Sequence, residues 1–160
     1  MNTNTNFYHT LPSNACTTIF PSNRPVKYKI RLSSLIPLDG RWEVAVTDFH
    51  YPHNWSDPSP SSIYLYSNLT IYRDVGGQMV PLPATIAVKS KANERGHFDP
   101  HQYKYIPVSA SVIDEIEIQL HTDTGDPFPI KSDDDAKIIT ELHFRRKQSS
   151  PLSDSIGREE

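Results

Sequence analysis

Val26-Lys27-Tyr28-Lys29-Ile30-Arg31-Leu32 carries an apolar side chain at every second position and a cation at each position between. Successive side chains of an extended chain point to opposite sides, so this spacing predicts a strand with one buried face and one wet face. Working outward, Trp42-Glu43-Val44-Ala45-Val46-Thr47-Asp48-Phe49 repeats the logic with Trp42, Val44 and Val46 on one face, just after the turn signal Asp39-Gly40. Ile63-Tyr64-Leu65-Tyr66 and Leu69-Thr70-Ile71-Tyr72 are short runs rich in aromatic and β-branched residues, separated by Ser67-Asn68, and both read as strands. Thr85-Ile86-Ala87-Val88 follows behind Pro81 and Pro83. After a polar loop from Lys89 to Pro100, Tyr103, Tyr105 and Pro107-Val108 suggest one more strand. Ile116, Ile118 and Leu120 alternate with Glu115, Glu117 and Gln119, and Ile138, Thr140, Leu142 and Phe144 alternate with Ile139, Glu141, His143 and Arg145.

No stretch offers apolar residues at helical spacing over three turns, which disfavours a helix bundle or a βαβ fold. Parallel pairing needs crossovers of roughly a dozen residues, longer than most links here, so antiparallel pairing remains. The expectation is an all-β protein: an eight-stranded antiparallel β-sandwich of jelly-roll or similar Greek-key type. Fourteen prolines against six glycines fit short strands and fixed loops, since proline donates no backbone hydrogen bond. At 160 residues and 36% hydrophobic composition, with eight Tyr and six Phe, the chain can bury one core. Residues 1–15 are polar and read as an N-terminal arm, 16–147 as the single jelly-roll domain, and 148–160 as a flexible C-terminal tail. No internal repeat is visible.

A net charge of −3 supplies no general positive field for nucleic acid or an acidic membrane. Arg145-Arg146-Lys147 is the one basic cluster and reads as a solvated strand end. Cys16 is the only cysteine, which forbids an internal disulfide and fits a reducing compartment. The sequons Asn54-Trp55-Ser56 and Asn68-Leu69-Thr70 read as chance triplets, because the start has neither the basic nor the apolar stretch of a signal peptide. No apolar run is long enough to span a bilayer, so the expectation is a soluble protein with no membrane partner.

Asp123-Thr124-Gly125 has the form of an aspartic-protease triplet, but such an enzyme needs two carboxylates sharing a proton and an apolar strand leading into each. Here His121-Thr122 precedes and Asp126-Pro127 follows, so a turn is the better reading. His50 and His53, with His9, His97, His101, His121 and His143, lack companion spacing for a metal, and structural roles are expected. Asp133-Asp134-Asp135 lacks the Gly and closing Glu of a calcium loop and reads as a solvated loop. Gly76-Gly77 reads as a hairpin turn and not a phosphate cradle. The sequence therefore predicts no enzyme, no catalytic, cofactor-binding or metal-ligating residues and no cofactor.

Two ordered series of motifs carry more. The first is Phe7-Tyr8-His9-Thr10-Leu11-Pro12-Ser13-Asn14-Ala15, Tyr28 to Leu32, Gly40-Arg41-Trp42-Glu43-Val44-Ala45-Val46 and Tyr51-Pro52-His53-Asn54-Trp55. The second is Tyr105-Ile106-Pro107-Val108, Ile116-Glu117-Ile118, Asp123-Thr124-Gly125-Asp126-Pro127-Phe128-Pro129 and Leu142-His143-Phe144-Arg145-Arg146. Together they resemble the minor capsid (penton) protein family of Polinton (Maverick) elements and adintoviruses. The resemblance implies a single jelly roll that assembles as a homopentamer at the vertices of an icosahedral shell, with a double jelly-roll major capsid protein as partner. It also implies a place in the virion, after assembly in the host cytoplasm or nucleus. One departure stands out: relatives carry a long insertion where only Ser56 to Ser62 bridges two strands here. The alternative from the residues alone is a carbohydrate- or peptide-binding sandwich module using Tyr64, Tyr66, Tyr72, Tyr103 and Tyr105 as a platform.

Overall fold

The alternating run that opens at Val26 becomes strand β2 (Lys27–Pro37), with Tyr28 and Ile30 buried between the exposed Lys27 and Arg31. The computed structural model describes residues 6–56, 60–133 and 136–147. Around β2 stand β1 (Asn6–Pro12), β3 (Trp42–Pro52), β4 (Ser62–Ser67), β5 (Arg73–Val75) and β6 (Gln78–Val80). They are followed by β7 (Ala84–Ala87), β8 (Arg95–Phe98), β9 (Ile106–Pro107), β10 (Val112–His121) and β11 (Ile139–Arg146). No helix occurs among the described residues.

One sheet has the order β1-β11-β3-β8, with β9 pairing on β3, and the other has the order β2-β10-β4-β7. Every pairing is antiparallel: β1 with β11, β2 with β10, β3 with β8 and β4 with β7. These pairs are nested, outermost with outermost and innermost with innermost. Such a chain is a long hairpin doubled back between β4 and β7 and then rolled, so that successive pairs fall alternately in the two sheets. That winding is the jelly roll. The two sheets bury Val44, Phe49, Leu142 and Phe144 from one side and Tyr28, Ile63, Leu65, Ile116 and Ile118 from the other.

Tyr28 ties the layers together. From β2 its hydroxyl crosses the core to donate to the Leu11 carbonyl (2.9 Å), and it lies 3.0 Å from Thr140 Oγ1. Burial pushes the phenol far above its ordinary pKa, so it stays a neutral donor. Tyr28→Phe removes one oxygen, leaving the buried Thr140 hydroxyl without its partner and the Leu11 carbonyl with one donor fewer, at an expected cost of about 1–3 kcal/mol. Urea unfolding of the variant measures it, and an unchanged midpoint would refute the role.

The structure departs from the sequence reading in five places. Residues 6–12, expected within an arm, are β1, an edge strand whose Phe7, His9 and Leu11 turn inward while Asn6, Tyr8 and Thr10 face solvent. Residues 1–5 and 148–160, the rest of the arm and the tail, lie outside the described residues. Leu69–Tyr72 is not a strand: Leu69 and Thr70 are buried, Ile71 and Tyr72 are exposed, and only an isolated bridge joins Thr70 to Val108. The supposed loop 89–100 contains β8. The strand expected at residues 103–108 shrinks to the two-residue β9. Beyond the eight strands of the two rows, β5 and β6 form a separate hairpin; Gly76 and Gly77 both have positive φ (60° and 87°), the turn their pairing in sequence suggested.

Within β3 the buried series Trp42, Val44, Val46 changes phase to Phe49 and Tyr51. The β11 register explains this: Leu142 faces Val46 and Glu141 faces Asp48, so Thr47 is an extra, bulged residue. Beyond the bulge Asp48 and His50 take the outward face of the sheet.

Candidate functional site

The catalytic triplet resolves into a turn. Past the end of β10, Thr122 N–H donates to Asp126 O (2.8 Å), Gly125 N–H donates to Thr122 O (3.0 Å), and Gly125 has φ 90°. Thr124 Oγ1 donates to Asp126 Oδ2 (3.1 Å), and His121 meets Gly125 O through Nδ1 (2.9 Å). Asp123 is exposed there. In the acidic run, Asp133 is exposed and residues 134–135 lie outside the described residues.

The sequon asparagines are built into the backbone. Asn54 Nδ2 donates to Lys131 O (3.0 Å) while Lys131 N–H donates to Asn54 Oδ1 (2.9 Å). Asn68 does the same with the β10 edge, giving to Glu115 O (3.2 Å) and accepting from Glu117 N–H (2.9 Å). The basic cluster is likewise engaged: Arg145 Nε donates to Glu43 Oε1 (2.6 Å) with its guanidinium 3.5 Å over the Tyr105 ring, and Arg146 covers Trp42.

The tyrosines do not form one platform. Tyr64 and Tyr66 lie on β4 in one sheet, where Tyr66 stacks on His121 (4.0 Å between centroids). Tyr103 and Tyr105 lead into β9 on the other sheet, beside His143. There a row crosses the outer face: Tyr8 of β1 stacks on His143 of β11 (4.3 Å), and His143 Nδ1 hydrogen-bonds with the Tyr105 hydroxyl (2.8 Å). Burial, with Arg145 nearby, holds His143 below the ordinary imidazole pKa, so the ring is neutral and free to stack and accept. Tyr8 is 56% and Tyr103 44% exposed, so this row offers aromatic surface to a neighbour.

The remaining histidines divide. His53 is buried against Trp55 (3.9 Å) and hydrogen-bonds with Ser90 Oγ (2.9 Å), which donates to the Tyr51 hydroxyl (3.1 Å). His9 packs edge-on to Phe144 inside β1, and burial lowers its pKa. His50 and His97 behave differently. They are register partners on β3 and β8, their rings are parallel (3°) at 4.2 Å, and both Nε2 atoms address the one carboxylate of Asp48. His50 Nε2 lies 3.1 Å from Oδ2, and His97 Nε2 hydrogen-bonds to Oδ1. Burial disfavours the Asp48 charge, but the hydrogen bonds and charges of the two histidines outweigh it and hold the carboxyl below its usual range. Local spacing in the sequence offers His50 no metal-binding companion. The companion comes from a strand 47 residues away, and the only local signal was Asp-x-His on one strand face.

No family model matches this chain, and no curated protein matches it. Among solved structures, the crystal structure of the selenomethionine-labelled mavirus penton protein aligns with a TM-score of 0.58 at 10% identity, covering 88% of this chain and 99% of that one. The two chains share the all-β jelly-roll fold over nearly the whole length of the penton protein.

Proposed function

We propose that this chain is a structural capsid subunit: the penton protein that closes the vertices of an icosahedral shell as a homopentamer. The observation that carries the reading is the alignment with a penton protein along 99% of that chain, with this chain's strands wound in the nested order of one jelly roll. The order of sequence motifs supports the same assignment independently of shape. A subunit with its core sealed between two sheets keeps both outer faces free, and a repeated head-to-tail contact closes into a ring when its rotation divides the circle. The Tyr8–His143–Tyr105 row suits such a contact, since aromatic side chains add large contact area at small entropy cost. The partner at the ring's rim is a double jelly-roll major capsid protein, and the site of action is the virion.

Light scattering coupled to size exclusion tests this. The expected species is about 91 kDa, five times the 18.2 kDa chain. Tyr8→Ala should shift the population toward monomer with little change in unfolding midpoint, because Tyr8 is largely exposed on an edge strand. A stable monomer at every concentration, alone and mixed with the major capsid protein, would sink the proposal.

A further inference from the structure

We propose that Asp48, His50 and His97 form a binding site for a divalent cation of the zinc class on the outer face of the β1-β11-β3-β8 sheet. Asp48 and His50 are two apart on β3, past the Thr47 bulge, so both side chains leave the same face, and His97 stands directly opposite His50 on β8. Their ligating atoms, two imidazole nitrogens and a carboxylate oxygen, all lie within 4.8 Å of one another. A zinc-class ion holds such donors at about 2.0–2.2 Å and takes four in a tetrahedron, so modest rotamer adjustment closes three positions and leaves the fourth to water. Imidazole nitrogen with carboxylate oxygen is also the donor mixture that this class of metal prefers over calcium or magnesium, which take oxygen alone.

The backbone favours the site. β3 and β8 pair over four residues, so the Cα positions of His50 and His97 are set by the ladder, and only side-chain torsions remain to be ordered. Glu141, the register neighbour of Asp48 on β11, does not compete, because its Oε1 accepts from Thr47 Oγ1 (2.8 Å). All three ligands are a third to a half exposed, so an ion reaches them without unfolding. Exposed hydrogen bonds of this kind contribute little by themselves, whereas a cation gives a net attraction to all three donors at once. It would also pin β8, an edge strand with one neighbour, onto β3.

The test is calorimetric titration of the full chain with Zn²⁺, repeated with Co²⁺ while its visible absorption is recorded. The expected result is about one ion per chain and the intense visible bands of four-coordinate cobalt. His50→Gln, His97→Gln and Asp48→Asn should each weaken binding roughly tenfold or more, while His101→Gln leaves it unchanged. Binding that ignores the three substitutions, or no binding by the unaltered chain, overturns the proposal. Should a variant misfold by circular dichroism, the intact protein still decides: Zn²⁺ must shift the ring resonances of His50 and His97 and spare those of His121 and His143, and any other pattern rejects the site.

Discussion

Gly96→Ala will destabilise the protein by about 3 kcal/mol or more, at the upper end of what overpacking costs. Gly96 is the register partner of Tyr51 across the β3–β8 pairing, and a Cβ placed on it would fall inside the Tyr51 ring, against Cζ, Cε1 and Cε2. The ring has nowhere to go. Tyr51 is buried, leans on Phe49 and Trp55, and its hydroxyl accepts from Ser90. One methyl group must therefore push β8 off the sheet or turn the ring into its neighbours. For a chain of this size the loss corresponds to a fall in melting temperature of roughly 6–12 °C. A double-mutant cycle separates this clash from any general intolerance of alanine: in a Tyr51→Leu background the further cost of Gly96→Ala should nearly vanish. Additive costs would show that the ring is not the obstacle.

Phe144→Ala should cost about 3–5 kcal/mol, a large share of the stability of an ordinary domain. Phe144 is wholly buried on β11, a strand with neighbours on both sides, and it stacks on Phe7 of β1 (4.8 Å, 15°) with His9 at its edge. Truncation opens a cavity between strands whose positions are fixed by two ladders, so little collapse can refill it. Chemical denaturation is the measurement, with Phe144→Leu expected to restore most of the loss. A cost below about 1 kcal/mol for the alanine variant would mean that β1 closes over the gap, and that its ladder is softer than the register implies.

The elements legible in the sequence are those whose inner row is apolar throughout or broken only by a single threonine, Thr140. Tyr28 and Ile30, then Ile116, Ile118 and Leu120, and Ile138, Leu142 and Phe144 all lie where alternation placed them. β8 escaped notice because its core face is only Gly96, whose space is filled by a tyrosine from another strand, and the half-buried Phe98, a row too short to show a period. β1 escaped because His9 and polar neighbours mask its inward row of Phe7, His9 and Leu11. Leu69–Tyr72 failed in the opposite sense: two of its residues plug the core and the next two are exposed, which is a loop's geometry written in a strand's alphabet. The bulge at Thr47 is visible in hindsight as the step from even to odd buried positions. That same step turns Asp48 and His50 outward, and with β8 unread the meeting of His50 and His97 could not be foreseen. The Asp123 turn, by contrast, followed from its own Asp, Gly and Pro.

Because Asn6 pairs with Arg145, the first strand among the described residues is held by the last of them. During synthesis at roughly 5–20 residues per second, β1 waits on the order of ten seconds for β11 to leave the ribosome. Until then β3 also lacks its β11 partner, and the half-built sheet offers open backbone to any passing strand. Completion of this sheet thus waits on β11, and a product truncated before Ile139 would be a nucleus for aggregation instead of a slightly shorter subunit.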